Sequence, residues 1–484
     1  MSKFYITTTL PYINSDPHLG FALEIVQADV IARYYRQKGY EVFFNTGTDE
    51  HGLKIFRKAN DLGLSPKEYC DIYSEKFRKL KDALCLSYNS FIRTTDSKHI
   101  KAAQEFWKRC AKNNDIYKGK YKIKYCVGCE MEKTDSDLVN GRCFLHPNQD
   151  LEVFEEENYF FRYSKYQKKL LNLYQKNPQF VLPKERMNEI INFTRKGLKD
   201  FSISRVKEKM SWGVPVPGDE EQVMFVWFDA LVNYISCLGW PDDLKTFNNF
   251  WPGLQVAGKD NLRQQTSMWQ AMLMSAGLSP SRQVFIHGFI TSNGQKMSKS
   301  LGNVINPFDL VNKYSTDAVR YYLLREIPPS EDGDFTYEKF EKRYNSDLAA
   351  GLGNLTARVM KIAEISHFRF SLIRPAEEFK IISKQFQNKN FQKTISDTSK
   401  KYQLSLENFK FNEALIAVWD LIGFCDKYIE KERPWEQKDQ KVISDLLFAI
   451  EQISYLLQPI LPQTADKILK QLKTHKSEIL FPKI

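Results

Sequence analysis

The opening of the chain carries the pattern that constrains the fold most: a strand, a helix and a second strand in direct succession. Residues 4–9 are rich in β-forming side chains, a turn-forming stretch follows at 11–17, and a long helical pattern begins near His18. An apolar segment at 41–45 is the next predicted strand. This βαβ order requires a parallel sheet with ligands at the carboxyl ends of its strands. The loop after the first strand is therefore where we expect chemistry.

The middle of the chain changes pattern twice. From about residue 117 to 210, cysteine-containing turns alternate with Lys/Glu-rich stretches, which is typical of an insertion into a sheet domain. Buried-strand patterns then resume at 223–228, 254–257 and 284–286. These three segments predict a second βαβ half of the same sheet.

The last part of the chain is helical in pattern. Beyond Asp347 apolar residues recur at the 3.6-residue spacing of helices, which predicts a helix bundle. Pro459 and Pro462 interrupt the pattern before one final amphipathic helix. The fold class predicted from the whole pattern is α/β followed by an all-α region.

Charge and hydrophobicity limit the function classes. The 484 residues carry a formal charge of +11, which favours a polyanionic partner such as nucleic acid. No apolar run reaches the roughly 20 residues that cross a bilayer, and the N-terminus lacks the features of a cleaved leader. We therefore expect a multidomain cytoplasmic protein with no membrane contact.

The segment at 17–21, Pro-His-Leu-Gly-Phe, lies where the first strand meets the helix. Free backbone amides and the positive helix end face a nucleotide there. His18 can donate a hydrogen bond to phosphate, and Gly20 lets a base or ribose approach closely. Taken alone, a histidine at such a position more often caps or packs against the helix.

Residues 294–303, with the sequence GQKMSKSLGN, form a second glycine-flanked loop. The lysines Lys296 and Lys299 can stabilise the negative charge that grows as pyrophosphate departs, and the glycines permit the loop to move. A solvated basic loop is the alternative, but the KMSKS string is highly specific.

A third motif has the spacing of a metal site. Cys126 and Cys129 are followed by Cys143 and His146, in the pattern C-x2-C-x13-C-x2-H. Three thiolates and one imidazole at this spacing predict one tetrahedral structural Zn²⁺ per chain, because four protein ligands leave no open position for water. The other five cysteines are scattered without a disulfide pattern.

The PHLG and KMSKS strings together resemble the signature of class I aminoacyl-tRNA synthetases, and the chain resembles the methionyl-tRNA synthetase family along nearly its whole length. This resemblance implies a Rossmann-like parallel-sheet catalytic domain with a zinc-binding connective insertion, followed by an anticodon-binding helix bundle. The implied boundaries are 1–115 for the first Rossmann half, 116–215 for the insertion, 216–290 for the second half, 291–346 for the KMSKS loop and stem-contact region, and 347–484 for the bundle.

The resemblance also implies an activity. Such an enzyme activates L-methionine with ATP to methionyl-adenylate and pyrophosphate, then transfers methionine to the 3′ end of tRNA(Met), the initiator included. ATP would enter with Mg²⁺, zinc would be structural, and we expect a monomer. His18, Lys296 and Lys299 would be catalytic, and the implied ATP-binding residues are His18, Gly20, Glu24, Asp260, His287, Gly288, Lys296, Met297 and Lys299.

A methionine pocket needs apolar walls and an anchor for the ammonium group. The WFDAL string at 227–231 with Tyr234 resembles the family's substrate segment, and the GKD string at 258–260 with Trp269 resembles its second nucleotide half. The implied methionine-binding residues are Leu10, Tyr12, Asp49, Trp227, Ala230, Tyr234 and Trp269, with Asp49 as the ammonium partner. For the anticodon, the resemblance implies Asn354, Arg358 and a stacking Trp435.

Two positions depart from the family pattern. Phe21 stands where the signature usually has a second histidine, and Gln265 stands where many members carry a histidine near the thioether. Phe21 motivates one alternative, a catalytically degraded paralogue that binds tRNA. A class I synthetase for another amino acid such as cysteine or leucine is the second, because both nucleotide motifs are shared across the class. The amino acid that drives ATP–pyrophosphate exchange separates the three.

Overall fold

The computed structural model describes residues 1–133, 137–297, 302–368, 388–437 and 439–484. It confirms the predicted fold class, an α/β domain with a parallel sheet followed by a helix bundle. No helix within these ranges is long and apolar enough to cross a membrane.

The first 115 residues alternate strands and helices as the βαβ pattern predicts. Helix α3 begins with a capping box, in which Ser65 and Glu68 each bind the other's backbone N–H, and with a proline at its first turn. The elements are β1 (Lys3–Thr8), α1 (Leu19–Gln37), β2 (Glu41–Thr48), α2 (Leu53–Asp61), α3 (Pro66–Arg78), α4 (Leu80–Ala83), β3 (Ser90–Arg93) and α5 (Ser97–Lys112).

The segment predicted as an insertion begins with two long antiparallel strands that pair along most of their length. Its elements are β4 (Ile116–Cys126), β5 (Met131–Glu132), β6 (Leu138–Val139), β7 (Arg142–Cys143), β8 (Glu152–Phe161), α6 (Gln167–Lys176), β9 (Val181–Leu182), α7 (Lys184–Arg195), β10 (Phe201–Ser202), β11 (Ser204–Val206), β12 (Pro215–Val216) and β13 (Asp219–Met224), with a 3-10 turn at Tyr163–Tyr166.

The second half returns to alternating helices and parallel strands. Its elements are α8 (Val226–Ala230), α9 (Asn233–Ser236), α10 (Leu244–Phe250), β14 (Leu254–Gly258), α11 (Trp269–Ser275), β15 (Gln283–His287), β16 (Ile290–Ser292), β17 (Gln295–Lys296), α12 (Pro307–Tyr314), α13 (Thr316–Arg325) and β18 (Gly333–Phe335), with a 3-10 turn at Lys259–Asn261 and a π-helical turn at Gln264–Met268.

The remaining elements are helical, as the periodicity predicts. They are α14 (Tyr337–Arg343), a π-helical segment (Tyr344–Gly353), α15 (Asn354–Ile365), α16 (Lys389–Glu407), α17 (Phe411–Glu432), α18 (Pro434–Gln437), α19 (Gln440–Leu457) and α20 (Pro462–Thr474).

The central sheet has the order β3-β2-β1-β14-β15-β9, and all of its pairs are parallel. The first strand therefore lies between its sequence neighbour β2 and the distant β14, where Ile6 pairs with Leu254. Consequently the turns after β1, β2, β14 and β15 meet at one edge of the sheet. The functional residues are expected at this edge.

Two local predictions about strands are corrected by the structure. The apolar run 223–228 is not a strand of the central sheet: β13 ends at Met224 in a separate antiparallel sheet with β11 and β12, and the next residues form α8. A short apolar run does not distinguish a strand from a buried helix. In addition, the predicted insertion contributes the edge strand β9 to the central sheet.

A continuous hydrophobic core joins the sheet to the bundle. Apolar residues of α1, α13 and the bundle helices belong to one buried cluster. On β15, Phe285 stacks on Phe409 of the turn between α16 and α17, with ring centroids 4.4 Å apart. The bundle is thus packed directly on the sheet domain.

Candidate active site

One cavity of about 880 Å³ opens at the carboxyl edge of the central sheet. Among the described residues predicted to bind ATP or methionine, all but Trp269 line it. Lys299 lies outside the described residues. The residues brought together are Leu10, Tyr12, His18, Gly20, Glu24, Asp49, Trp227, Ala230, Tyr234, Asp260, His287, Gly288, Lys296 and Met297.

His18 both caps α1 and faces the cavity. Its Nδ1 accepts the Gly20 backbone N–H at 3.1 Å, so in the neutral ring Nε2 carries the proton and can donate to a ligand. The ring is open to cavity solvent, yet desolvation by the surrounding walls lowers its pKa and favours this neutral form. A Cβ on Gly20 would lie 3.0 Å from the ring, so glycine leaves room for this capping geometry.

Glu24 and His287 form a buried pair in the cavity wall. Glu24 Oε1 accepts the Thr9 backbone N–H at 2.7 Å, and Oε2 lies 2.9 Å from His287 Nε2. The other ring nitrogen, Nδ1, lies 2.7 Å from the Gly288 carbonyl oxygen. Both ring nitrogens therefore face acceptors, which favours the doubly protonated ring. Burial lowers the pKa of His287, but the hydrogen bond and charge of Glu24 outweigh it and raise the pKa above its usual value.

We expect Glu24→Gln to lower the pKa of His287, because the amide removes the negative charge that stabilises the imidazolium. A raised histidine pKa stabilises the fold below the unfolded pKa of about 6.5, and that contribution is lost as pH rises through the folded value. An NMR titration of the histidine Cε1–H signals measures the change, with His287→Asn to assign the resonance. An unchanged titration of His287 would contradict the pairing.

Asp49 supplies a second buried carboxylate to the cavity wall. The backbone pairing of Asp49 with Tyr12 and the Pro11 carbonyl fixes its position. The side chain is 6% exposed, and its Oδ1 has no hydrogen-bond partner among the described residues. Burial, followed by the charges of Asp229 and Glu130, raises its pKa well above the usual range. A cation placed here would satisfy Oδ1 and restore the ionised form.

The walls beside Asp49 are aromatic. Trp227 lines the cavity, and its Nε1 is buried without a partner in the described part of the chain. Tyr234 lines it as well, and Trp269 packs against the far side of Tyr234 with ring centroids 5.9 Å apart. Trp269 is completely buried and also stacks on Phe106. The structure therefore places Trp269 behind the wall, where it supports Tyr234.

The aspartate of the WFDAL string does not face the cavity. Asp229 Oδ2 lies 2.6 Å from His51 Nδ1, and Oδ1 lies 2.8 Å from His99 Nε2. Burial alone would raise the pKa of Asp229, but the two histidines lower it to about 2. This ionised group joins α8 to the loop after β2 and to α5 behind the pocket. The sequence gives no sign of this role, because His51 and His99 lie far from Asp229 in the chain.

Sequence reasoning also missed a residue that connects the cysteine motif to the pocket. Glu130 follows Cys129, lines the cavity, and accepts hydrogen bonds from the Tyr12 hydroxyl at 3.1 Å and the Lys54 backbone at 2.7 Å. Tyr125 donates to its second oxygen. Glu130 has φ +48°, a left-handed conformation that the hydrogen bonds hold in place. A single glutamate after a cysteine gives no sequence signal of this contact.

The cysteine motif folds into a compact donor set. The ligand atoms of Cys126, Cys129, Cys143 and His146 all lie within 4.8 Å of one another. Cys129 Sγ lies 3.5 Å from Cys143 Sγ and 3.2 Å from His146 Nδ1, and Cys126 Sγ lies 3.7 Å from that nitrogen. A tetrahedron with Zn–S of about 2.3 Å and Zn–N of about 2.0 Å has edges of roughly 3.5–3.8 Å. The cluster therefore fits a metal ion of this geometry.

Gly128 allows the turn between Cys126 and Cys129 to lie close to His146. A Cβ at Gly128 would lie 2.5 Å from the His146 ring, so only glycine allows the imidazole to approach the first cysteine pair. Several residues of the same turn, including His146, also line the cavity. The metal cluster and the candidate active site are therefore adjacent.

The bundle brings the three predicted anticodon residues onto neighbouring elements, since α18 lies beside α15. Asn354 is exposed, and Trp435 is 41% exposed at the start of α18. Arg358 is paired with Asp426 at 3.4 Å and Glu430 at 2.5 Å. A ligand that uses the guanidinium must compete with these carboxylates.

Comparisons with known proteins agree with this architecture. The family described as tRNA synthetases class I (M) matches residues 4–144 and 132–360, and the anticodon-binding domain of tRNA ligase matches residues 388–483. The chain is 41% identical to a methionine–tRNA ligase of Thermosynechococcus vestitus, covering 97% of this chain and 90% of that protein. It is 40% identical to the Thermotoga maritima methionine–tRNA ligase, covering 97% and 75%.

A solved structure is similar over the same extent. Mycobacterium tuberculosis methionyl-tRNA synthetase in complex with methionyl-adenylate matches with a TM-score of 0.89 and 36% identity, covering 97% of this chain and 93% of that one. The similarity therefore spans the sheet domain, the insertion and the bundle.

Proposed function

The chain belongs to the methionyl family of class I aminoacyl-tRNA synthetases, and from this premise we propose that it activates methionine with ATP and transfers the methionyl group to tRNA(Met), initiator tRNA included. The observation that carries the proposal is that both sets of residues line the same cavity. His18, His287 and Lys296, proposed for the nucleotide, share it with Asp49 and Trp227, proposed for methionine. Both substrates of the first step can therefore meet there.

Asp49 is proposed to bind the α-ammonium group of methionine. Its Oδ1 has no hydrogen-bond partner within the described ranges and its pKa is raised, as expected of a carboxyl group whose cationic partner is the substrate. The uncharged thioether side chain of methionine would lie against the aromatic walls formed by Trp227 and Tyr234, since soft sulfur packs well against rings. The structure of the M. tuberculosis relative with methionyl-adenylate supports a substrate of this class.

In the first step a methionine carboxylate oxygen attacks the α-phosphorus of ATP, and the bond to pyrophosphate breaks. Negative charge grows on the transferring and departing phosphoryl oxygens. His18 Nε2–H and Lys296 are proposed to stabilise this charge, together with Lys299 outside the described residues, while Gly288, Met297 and Asp260 would contact the nucleotide. ATP is expected to enter with Mg²⁺. In the second step the terminal tRNA ribose hydroxyl attacks the methionyl carbonyl carbon and AMP leaves.

Phe21 takes no part in binding phosphate. Its ring packs edge-on against Phe77 with centroids 5.4 Å apart. The side chain of Phe21 has no group that donates a hydrogen bond. The neighbouring His18 uses Nδ1 to accept the Gly20 N–H, and its Nε2–H has no protein acceptor in the part of the chain that the structure describes. We therefore assign the donor role at the helix start to His18.

Cys126, Cys129, Cys143 and His146 are proposed to hold one Zn²⁺ in a structural role. Four protein ligands close the coordination sphere, so the ion would order the turn and supply no open position for substrate. Through Glu130 the ordered turn would position Tyr12 at the methionine pocket. Metal analysis of protein purified without chelator should give about one zinc per chain.

The anticodon of tRNA is proposed to contact Asn354, Arg358 and Trp435. We expect Trp435→Ala to lower tRNA charging by about tenfold or more while leaving ATP–pyrophosphate exchange unchanged, because a lost stacking contact costs about 1–3 kcal/mol per base. Leu62→Ala is the control, since Leu62 is 58% exposed between α2 and α3 and lies outside both the stem-contact region and the bundle. Equal losses in the two reactions would argue against anticodon contact.

The test of the whole proposal is ATP–pyrophosphate exchange on purified protein, comparing methionine with the other standard amino acids. Exchange driven by methionine alone would support it, and exchange driven by cysteine or leucine would assign a different synthetase. Lys296→Ala is the control for nonspecific exchange, because it removes charge at the phosphate side. Absence of exchange with every amino acid would favour a tRNA-binding protein that has lost activity.

A further inference from the structure

Arg320 on α13 is a charged side chain buried completely at the junction between the sheet domain and the bundle. Its Nε donates to the Ile460 carbonyl at 2.8 Å and its Nη2 to the Pro459 carbonyl at 3.0 Å, both in the turn between α19 and α20. Its Nη1 donates to the Leu84 carbonyl at 3.0 Å and lies 2.9 Å from Asp29 Oδ2. One planar guanidinium thus joins three separate parts of the chain.

The acidic partner of Arg320 belongs to the helix that begins at the active site. Asp29 lies on α1, the helix capped by His18. Its Oδ1 accepts hydrogen bonds from the Ser87 backbone and hydroxyl, each at 2.6 Å. Burial would raise the pKa of Asp29, but Arg320 and Arg33 outweigh it and lower the pKa. The pair is therefore ionised. Ser87 holds the carboxylate of Asp29 in place, and the backbone carbonyls hold the guanidinium of Arg320.

Further contacts hold the bundle against the same two helices. Asp317, one turn before Arg320, accepts the Thr464 backbone N–H at 2.6 Å near the start of α20. On α1, the Tyr34 hydroxyl donates to Glu407 at 2.9 Å and Gln37 donates to the Tyr455 carbonyl at 2.8 Å. The N-terminal end of α1 thus lies at the cavity, and its C-terminal half supports the bundle.

We propose that Arg320 is a positioning residue that fixes the bundle relative to the catalytic helix and thereby serves the transfer of methionine to tRNA, with little effect on adenylate formation. This inference rests on the proposed function. Methionine and ATP bind within the cavity, so adenylate formation needs no fixed bundle. A tRNA that touches both the bundle and the cavity presents its 3′ end correctly only if the two keep their spacing, and displacement by about 1 Å can cost on the order of a hundredfold in rate.

Arginine is specifically suited to this junction. Its rigid, planar fork supplies several N–H donors in fixed directions, whereas lysine offers one compact ammonium on a flexible stem. A lysine at position 320 can keep the charge beside Asp29, but it cannot reproduce the carbonyl contacts to Pro459 and Ile460 together. Arg33 provides a contrast, because it also binds Asp29, at 2.8 Å, but its other contacts are to Cys85.

The experiment compares Arg320→Met and Arg320→Lys with Arg33→Met and Arg33→Lys in the full-length, zinc-loaded chain. Methionine-dependent ATP–pyrophosphate exchange and tRNA charging are measured for each variant. We expect both Arg320 variants to keep exchange within about twofold and to lose about tenfold or more of kcat/KM for tRNA charging. The Arg33 variants should change the two reactions by the same factor. Combining Arg320→Met with Trp435→Ala should cost less than the product of the single losses, because a displaced bundle no longer aligns the bound anticodon with the cavity.

Equal losses in exchange and charging for the Arg320 variants, or unchanged charging, would overturn the inference. If Arg320→Met does not give folded protein, the comparison of Arg320→Lys with Arg33→Lys decides the question in the same way. A wild-type chain without methionine-dependent exchange would refute the proposed function itself. If the wild-type protein is active but the Arg320 variants do not lose more tRNA charging than exchange, only the role of Arg320 is refuted.

Discussion

Asp49→Asn should lower kcat/KM for methionine in ATP–pyrophosphate exchange by about 10²–10³-fold. The amide keeps the size of the side chain but removes the charge that pairs with the ammonium group, and losing one partner of a buried charge pair costs roughly 2–5 kcal/mol. The KM for ATP should change little, because Asp49 is paired with Tyr12 and is not among the hydrogen-bonded partners of Glu24 and His287. Asp16→Asn is the matched control, since Asp16 lies on the exposed rim and pairs with Lys76 at 2.6 Å.

The same substitution should stabilise the free protein. The folded-state pKa of Asp49 is raised, so folding disfavours the ionised carboxylate and stability falls as pH rises above the unfolded value of about 3.9. Asparagine removes that penalty, and the Tm of Asp49→Asn should exceed that of wild type at pH 7. Unchanged methionine activation, or an equal loss with Asp16→Asn, would contradict the assignment of the ammonium site.

Cys129→Ser should abolish stoichiometric zinc binding and raise the KM for methionine more than the KM for ATP. Structural zinc contributes roughly 10–16 kcal/mol to small zinc domains, so loss of one ligand should disorder the turn between Cys126 and His146. Glu130 would then lose its fixed position beside Tyr12. Metal analysis, limited proteolysis of the turn and exchange kinetics measure these effects.

Cys85→Ser is the control for this experiment, because Cys85 is half-buried and lies outside the metal cluster. It should retain about one zinc per chain and normal kinetics. A Cys129→Ser protein that keeps both zinc and its methionine KM would refute the metal assignment. Loss of zinc with unchanged methionine KM would refute only the connection through Glu130.

The short motifs predicted most of the cavity because they stand at the ends of neighbouring strands. His18 follows β1, Asp49 follows β2 and His287 ends β15, so the parallel topology alone brings them to one edge. The metal cluster was predictable for a different reason: its ligands are close in sequence and their spacing is diagnostic. In both cases a short stretch of sequence was enough to predict where the side chains lie.

What the sequence did not reveal depends on contacts between distant residues. Trp269 was assigned to the pocket surface, but the packing of Tyr234 and Phe106 places it one layer behind. Asp229 was part of a recognised string, yet its two histidine partners come from other elements. The burial of Arg320 likewise depends on carbonyls contributed by the distant turn at Pro459. No periodicity or spacing encodes such pairings.

The position of β1 in the sheet has a consequence for the order of assembly during synthesis. This strand leaves the ribosome before the other strands of its sheet, but one of its two neighbours, β14, begins only at Leu254. Closing so long a loop is slow, and folding rates fall as contacts become less local. The four proposed zinc ligands all lie between 126 and 146, so their closure requires only a short loop. The nascent chain should therefore bind zinc well before it can bind methionine. A nascent chain on a ribosome stalled before β14 should hold zinc but fail to bind methionine.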